Sequence, residues 1–129
     1  MKQKVILALK IAPGEKPETI YLENTLEALQ RAVSIGANYT GLIEVIDIDD
    51  GVCVIANEEC KLINLPPNRK LGHDVICGVF YVVAYNDEGD FCSLNCDEIE
   101  KYKKMFEVPD KFENFNPERY LFAHFIPID

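Results

Sequence analysis

The sequence carries no glycine-rich phosphate loop. Its seven glycines stand singly, and neither GxGxxG nor the P-loop pattern occurs. A GxSxG nucleophile turn is missing too. Histidine is scarce, with only His73 and His124. His73 precedes Asp74, but chain neighbours are poorly placed to orient one another as a catalytic dyad does. On a strand, His73 and Cys77 would stand roughly 13 Å apart, out of hydrogen-bond reach for an activated nucleophile. His124 lies in an alternating aromatic run and reads as structural. The five cysteines, Cys53, Cys60, Cys77, Cys92 and Cys96, are odd in number and form no CxxC. Cys53 and Cys77 fall inside apolar runs and read as small buried hydrophobes. Cys92 and Cys96 are not followed by histidine at zinc-ligand spacing. Neither a disulfide framework nor a metal site is expected, and no cofactor is implied.

Long apolar runs are also lacking. The opening "VILALKIAP" is apolar for about one strand's length and is interrupted by Lys10. No signal peptide or membrane span is read, and a cytoplasmic chain is expected. Basic residues are few, 13 against 22 acids, for a formal charge of −9. Counterion release needs a positive surface, so direct binding to nucleic acid or anionic membrane is disfavoured. The charge suits solubility, a basic partner, or a mimic of DNA phosphates, although the acids are dispersed rather than arrayed in rows.

What is present is one domain's worth of chain. With 129 residues, 48% of them hydrophobic, such a chain buries roughly two thirds of its unfolded surface. "KVILALKIA" alternates with period two and predicts a strand. "PGEKPE" is a turn, and "TIYL" a return strand. "NTLEALQRAVSIG" is the clearest helix: Asn24 as N-cap, Glu27 completing a capping box, Leu26, Leu29 and Val33 on one stripe, Gly36 beyond the end. "GLIEVIDIDDGVCVIAN" is a hairpin turning at Asp50-Gly51. "VICGVFYVVAY" is apolar on both faces, as in a central strand covered on both sides, and "DFCSL" returns from a turn at residues 86–89. Asn95 and Glu98 form a capping box for a second helix, with Ile99, Tyr102 and Phe106 inward, Lys101, Lys103 and Lys104 solvated, and Val108-Pro109 stopping it.

The predicted fold is α+β: a largely antiparallel sheet of hairpins with two helices packed on it. The order is β-β-α-β-β-β-β-α plus a C-terminal extension. The domain spans residues 1–108. Residues 109–129 form an aromatic-rich extension (Phe112, Phe115, Tyr120, Phe122, Phe125) that packs back on the domain, with a strand at "RYLFAHFI". Its other role would be a partner surface, such as a homodimer contact.

The blocks "NTLEALQRAV", "GLIEVI…DDGVCVIANEECKLINLPPNR", "ICGVFYVVAYNDEGDFCSL" and "EIEKY" resemble an uncharacterised bacterial domain family of unknown function. That family is found on conjugative elements, plasmids and phages of Firmicutes. The resemblance covers about residues 4–106. Its most specific part is the string Asn57, Glu58, Glu59, Lys61, Leu62, Leu65, Pro66, Asn68, Arg69, and similar members often carry Gly where this chain has Cys60. It implies a mobile-element origin and no activity.

The string supports two readings. In one, "NEEC" turns, "KLINL" is a short strand, Pro66-Pro67 stiffens the exit, and Asn68 and Arg69 stitch backbone carbonyls and a nearby acid. In the other, Asn57, Glu58, Glu59, Asn68 and Arg69 are a ligand site, whose Arg fork and amides suit a carboxylate or phosphate. The carboxylate pairs Asp49-Asp50, Glu58-Glu59, Asp87-Glu88 and Asp97-Glu98 carry no signature beyond proximity. The functional expectation is a non-catalytic accessory protein that binds a protein or small anionic ligand. Its rivals are an acidic decoy of a DNA-binding host defence factor and an enzyme acting on a nucleotide or nucleic acid.

Overall fold

A computed structural model describes residues 2–120. The fold is α+β with an antiparallel sheet, in the expected order of strands and helices. The strands are β1 (Val5–Ile11), β2 (Glu18–Glu23), β3 (Ile43–Asp49), β4 (Val52–Asn57), β5 (Pro67–Leu71), β6 (Asp74–Cys77), β7 (Phe80–Tyr85) and β8 (Phe91–Cys92). The helix α1 (Leu26–Ala32) follows β2, α2 (Cys96–Met105) follows β8, and a 3-10 turn spans Pro117–Tyr120. The main sheet runs β2-β1-β7-β4-β3. Strand β1 pairs with β7 from Leu9 to Ile11, and β8 takes up pairing with Ala84 and Tyr85 further along β7.

Period-two alternation sorts the side chains to two faces. Phe80, Val82, Val52, Val54, Leu9 and Ile11 pack with Tyr102 and Phe106 of the α2 region. Tyr81, Val83, Cys53, Ile55, Ile6 and Ala8 pack with Leu29 and Val33 of the α1 region. Both faces of the central strands are covered, as the unbroken apolar runs require. Phe80 meets Phe106 edge to face, with centroids 5.4 Å apart.

Several local expectations change. The "VICGVFYVVAY" run is two strands: Gly78 has φ +74 and separates β6 from β7. A side chain there would meet Leu65 Cδ1 at 2.8 Å, so the bend needs glycine twice over. "KLINL" is no strand. Residues 58–64 wind as turns, with Ile63 N–H donating to Glu59 O at 3.0 Å and Leu65 N–H to Cys60 O at 3.0 Å. The strand begins at Pro67 and pairs with β6 in a separate two-stranded ribbon. Positive φ in this turn falls at Asn64 (φ 56), not at Cys60, so the turn makes no demand for glycine at position 60.

The N-cap of α1 is Thr25, whose Oγ1 accepts from Ala28 N–H at 3.2 Å. Asn24 instead turns its buried amide onto Gln3 O and Phe91 O, tying the helix entrance to the segment before β1 and to β8. Leu26 stays exposed, so Leu29 and Val33 carry the packing. For α2 the capping box forms as expected, with Asn95 Oδ1 accepting from Glu98 N–H and Glu98 Oε1 from Asn95 N–H.

In the extension, Phe112 and Phe115 pack on a third small cluster of Cys60, Leu65, Val75 and Cys77. Arg119 and Tyr120 lie in the 3-10 turn, not in a strand. The rest of the expected strand, with Phe122, His124 and Phe125, lies outside the described residues. Among the described residues no helix is long and apolar enough to cross a membrane.

Candidate functional site

The ribbon β5–β6 and the turn 58–64 place the residues singled out in the sequence. Asn68 is fully buried and donates its amide to Ile11 O and Gly78 O, both at 2.8 Å. This pins the ribbon to the end of β1 and to the bend before β7. Its Oδ1 accepts from Arg69 Nη1 at 2.8 Å. Arg69, 1% exposed, spends its remaining donors on carbonyls: Phe106 O at 3.0 Å, and the oxygens of Ala12 and Glu15 in the β1–β2 turn. Phe106 closes α2, so a cation sits against the negative end of that helix. Burial pulls the guanidinium below its ordinary value, and Asp110 opposes this. Arg69 remains charged, because no burial of this kind brings a guanidinium near neutral pH.

Asn57 lies on the opposite side of the sheet. Buried at the end of β4, it donates to Ser34 Oγ and accepts from Glu59 N–H at 2.9 Å. Gly41 packs so closely on it that a Cβ there would meet the amide at 2.9 Å. Asn57 bonds near α1 while Arg69 bonds at the end of α2, so the two do not converge on one ligand position. Glu58 is exposed, and Glu59 accepts a hydrogen bond from Tyr39 OH at 3.1 Å. That bond raises the Tyr39 hydroxyl above its ordinary value. The Glu58 N–H donates to Leu42 O at 2.9 Å, locking the loop 36–42 against the turn.

Behind the turn is a small cavity of about 80 Å³ lined by Glu44, Asn57, Glu58, Cys60, Lys61 and Asp74 among others. Lys61 and Asp74 form a largely buried ion pair there, and Asp74 Oδ1 also accepts from Val75 N–H at 2.7 Å. Cys60 borders this cavity and packs in the third cluster with Cys77. The neighbouring Cys77, with Lys61, lowers the Cys60 thiol against burial and Glu44, while Cys60 and burial push Cys77 up. Neither Lys61 with Asp74 nor the thiol pair was identified from the sequence. The residues lie between 60 and 77, and only the ribbon's return brings β6 beside the turn. Among the described residues no group of three or more ligating side chains is arranged to hold a metal ion.

A second concavity, about 590 Å³, lies between the β1–β2 turn and α2. Lys16, Lys101, Lys103 and Lys104 line it together with Asp97, Glu100 and Glu107. The lysines on the later turns of α2 read from the sequence only as solvated complements of the helix dipole. The adjoining turn adds Lys16, so that four lysines and three acids mix on one surface.

A family model described as Domain of unknown function (DUF3846) matches residues 4–107. No curated protein and no solved structure matches the chain.

Proposed function

We propose that this chain, which belongs to the DUF3846 family, is a non-catalytic binding protein of a bacterial mobile element, and that its ligand is a basic protein surface. The bacterial mobile-element context rests on the sequence blocks described above. The reading of a protein partner rests on one observation. Tyr39, Leu42 and Leu62 are 50%, 56% and 64% exposed, on the loop 36–42 and on the turn 58–64 that also carries Glu58 and Glu59. Backbone bonding of Glu58 to Leu42 and the Tyr39–Glu59 hydrogen bond join the two segments into one surface. Leu62 lies three and four positions beyond the acids in a helical turn, hence on the same side.

Apolar and aromatic side chains held on a hydrogen-bonded frame, with charges at the rim, are the anatomy of a protein interface. The acids and the overall charge of −9 would steer a basic partner and speed encounter at low salt. A cytoplasmic setting is supported by the five cysteines, all free. An acidic decoy has weaker support, because lysines and acids mix on the surface between the β1–β2 turn and α2.

The test is a comparison of variants against partners captured by the wild-type protein. Tyr39→Ala and Leu62→Asp should each lower retention at least tenfold with thermal melting unchanged. Lys103→Glu with Lys104→Glu should leave it intact. Retention lost only in the lysine variant would transfer the site to the α2 groove and favour a small anionic ligand. Native mass spectrometry would then reveal such a ligand as extra mass lost on denaturation. A doubled mass abolished by Leu62→Asp would identify the partner as a second copy of the chain.

A further inference from the structure

We propose that Cys60 and Cys77 are a peroxide-sensitive dithiol that closes into an intramolecular disulfide, making the turn 58–64 an oxidation-modified element. The two thiols come from segments 17 positions apart in sequence and meet in one small cluster with Leu65 and Val75. Each thiol perturbs the other's acidity, as neighbours in one cluster do. Their roles differ by position. Cys60 borders the 80 Å³ cavity beside Lys61, whereas Cys77 is fully buried behind it. A cavity of that size holds a few water molecules, so it can take hydrogen peroxide and is too small for glutathione.

The thiolate is the nucleophile in such chemistry, and the cavity reaches Cys60 beside Lys61, where the thiol is lowered. The remaining thiols are placed otherwise. Cys53 is buried on the α1 face and pushed up to about 12 by burial, Cys92 donates to Asp90 O, and Cys96 is exposed at the start of α2.

In the first step the Cys60 thiolate attacks one peroxide oxygen. An S–O bond forms, the O–O bond breaks, and the departing hydroxide takes a proton to become water. In the second step the Cys77 sulfur attacks the sulfenic sulfur of Cys60. The S–S bond forms, the S–O bond breaks, and the hydroxyl leaves with the Cys77 proton as a second water. The two thiols lose two electrons in all, and one peroxide becomes two waters. A thiol reductant reverses the change by exchange.

The experiment treats the full chain with hydrogen peroxide, denatures it, alkylates it with a maleimide and maps the peptides. Expected are two fewer maleimides per chain than in the untreated protein, a peptide cross-linked through Cys60 and Cys77, and full recovery with dithiothreitol. In Cys77→Ala, dimedone should trap a sulfenic acid at Cys60. Uptake of maleimide by Cys60 and Cys77 at untreated levels, with oxidation confined to Cys92 or Cys96, would overturn the proposal. Dimedone trapping at Cys77 in Cys60→Ala, with none at Cys60 in Cys77→Ala, would overturn the assignment of the attacking thiol.

Discussion

Arg69 is the largest of the fully buried side chains, and its bonds join three separate parts of the chain. Replacing it with Met fills much of the volume but leaves the carbonyls of Phe106, Ala12 and Glu15 without their donor. A loss of about 3 kcal/mol is expected, since buried acceptors left unmade carry most of their desolvation penalty. Urea unfolding should show a lower midpoint at unchanged slope. Asp49 makes a second, more exposed tie. Its carboxylate accepts from Lys101 Nζ at 2.7 Å and Tyr102 OH at 3.0 Å, linking the end of β3 to α2. Its pKa is lowered from 3.8 to about 2, chiefly by the Lys101 hydrogen bond. A carboxyl depressed in the folded state adds stability above its unfolded value and loses it as pH falls through the folded one. Asp49→Asn should therefore melt below wild type at neutral pH, with the gap closing between about pH 4 and pH 2. Added salt should narrow the neutral gap, because both partners face water.

At the scale of elements, glycine and the caps decide where segments end. Gly78→Ala places a side chain on Leu65 at a left-handed φ, and a loss of about 2 kcal/mol is expected. Because the bend positions both β6 and β7, the damage should spread to the third cluster, and alkylation of Cys77 in the native protein should quicken. Asn95→Ala removes the cap of α2 at a cost of about 1 kcal/mol. The two outer strands of the main sheet carry their own protection. On β3 it is Glu44, Asp47 and a register shift between Asp47 and Asp49, and on β2 it is Glu18 and Glu23 at the ends. Charges and irregular pairing on edge strands oppose sheet-to-sheet association.

For the whole molecule, stability should be graded outward from β7. Val82 faces Leu9 on one side and Val54 on the other, and neither sheet face at this point reaches solvent. Hydrogen exchange is expected to be slowest at the amides of Val82 and Val54, approaching the global unfolding limit. It should be fastest in the loop 36–42 and the turn 58–64, which lie at the surface. Protection at Tyr39 and Leu62 that rises on adding a captured partner would locate its contact on that surface.

Local pattern alone determined the alternating strands, the hairpin at Asp50-Gly51, the capping box of α2 and thus the α+β class. These follow from interactions within a few residues, where side-chain period and turn chemistry act directly on the backbone. The tertiary structure decided the rest. It moved the α1 cap from Asn24 to Thr25, because Asn24 has better partners in Gln3 and Phe91, the latter 67 positions away. It split the most apolar run at Gly78, because Leu65 occupies the space a side chain would need. It spent Asn68 and Arg69 on carbonyls from Ile11 to Phe106 and set Cys60 in one cluster with Cys77. A polar or nucleophilic side chain looks the same in sequence whether it faces solvent or a backbone oxygen from another part of the chain, and long-range packing alone distinguishes the two.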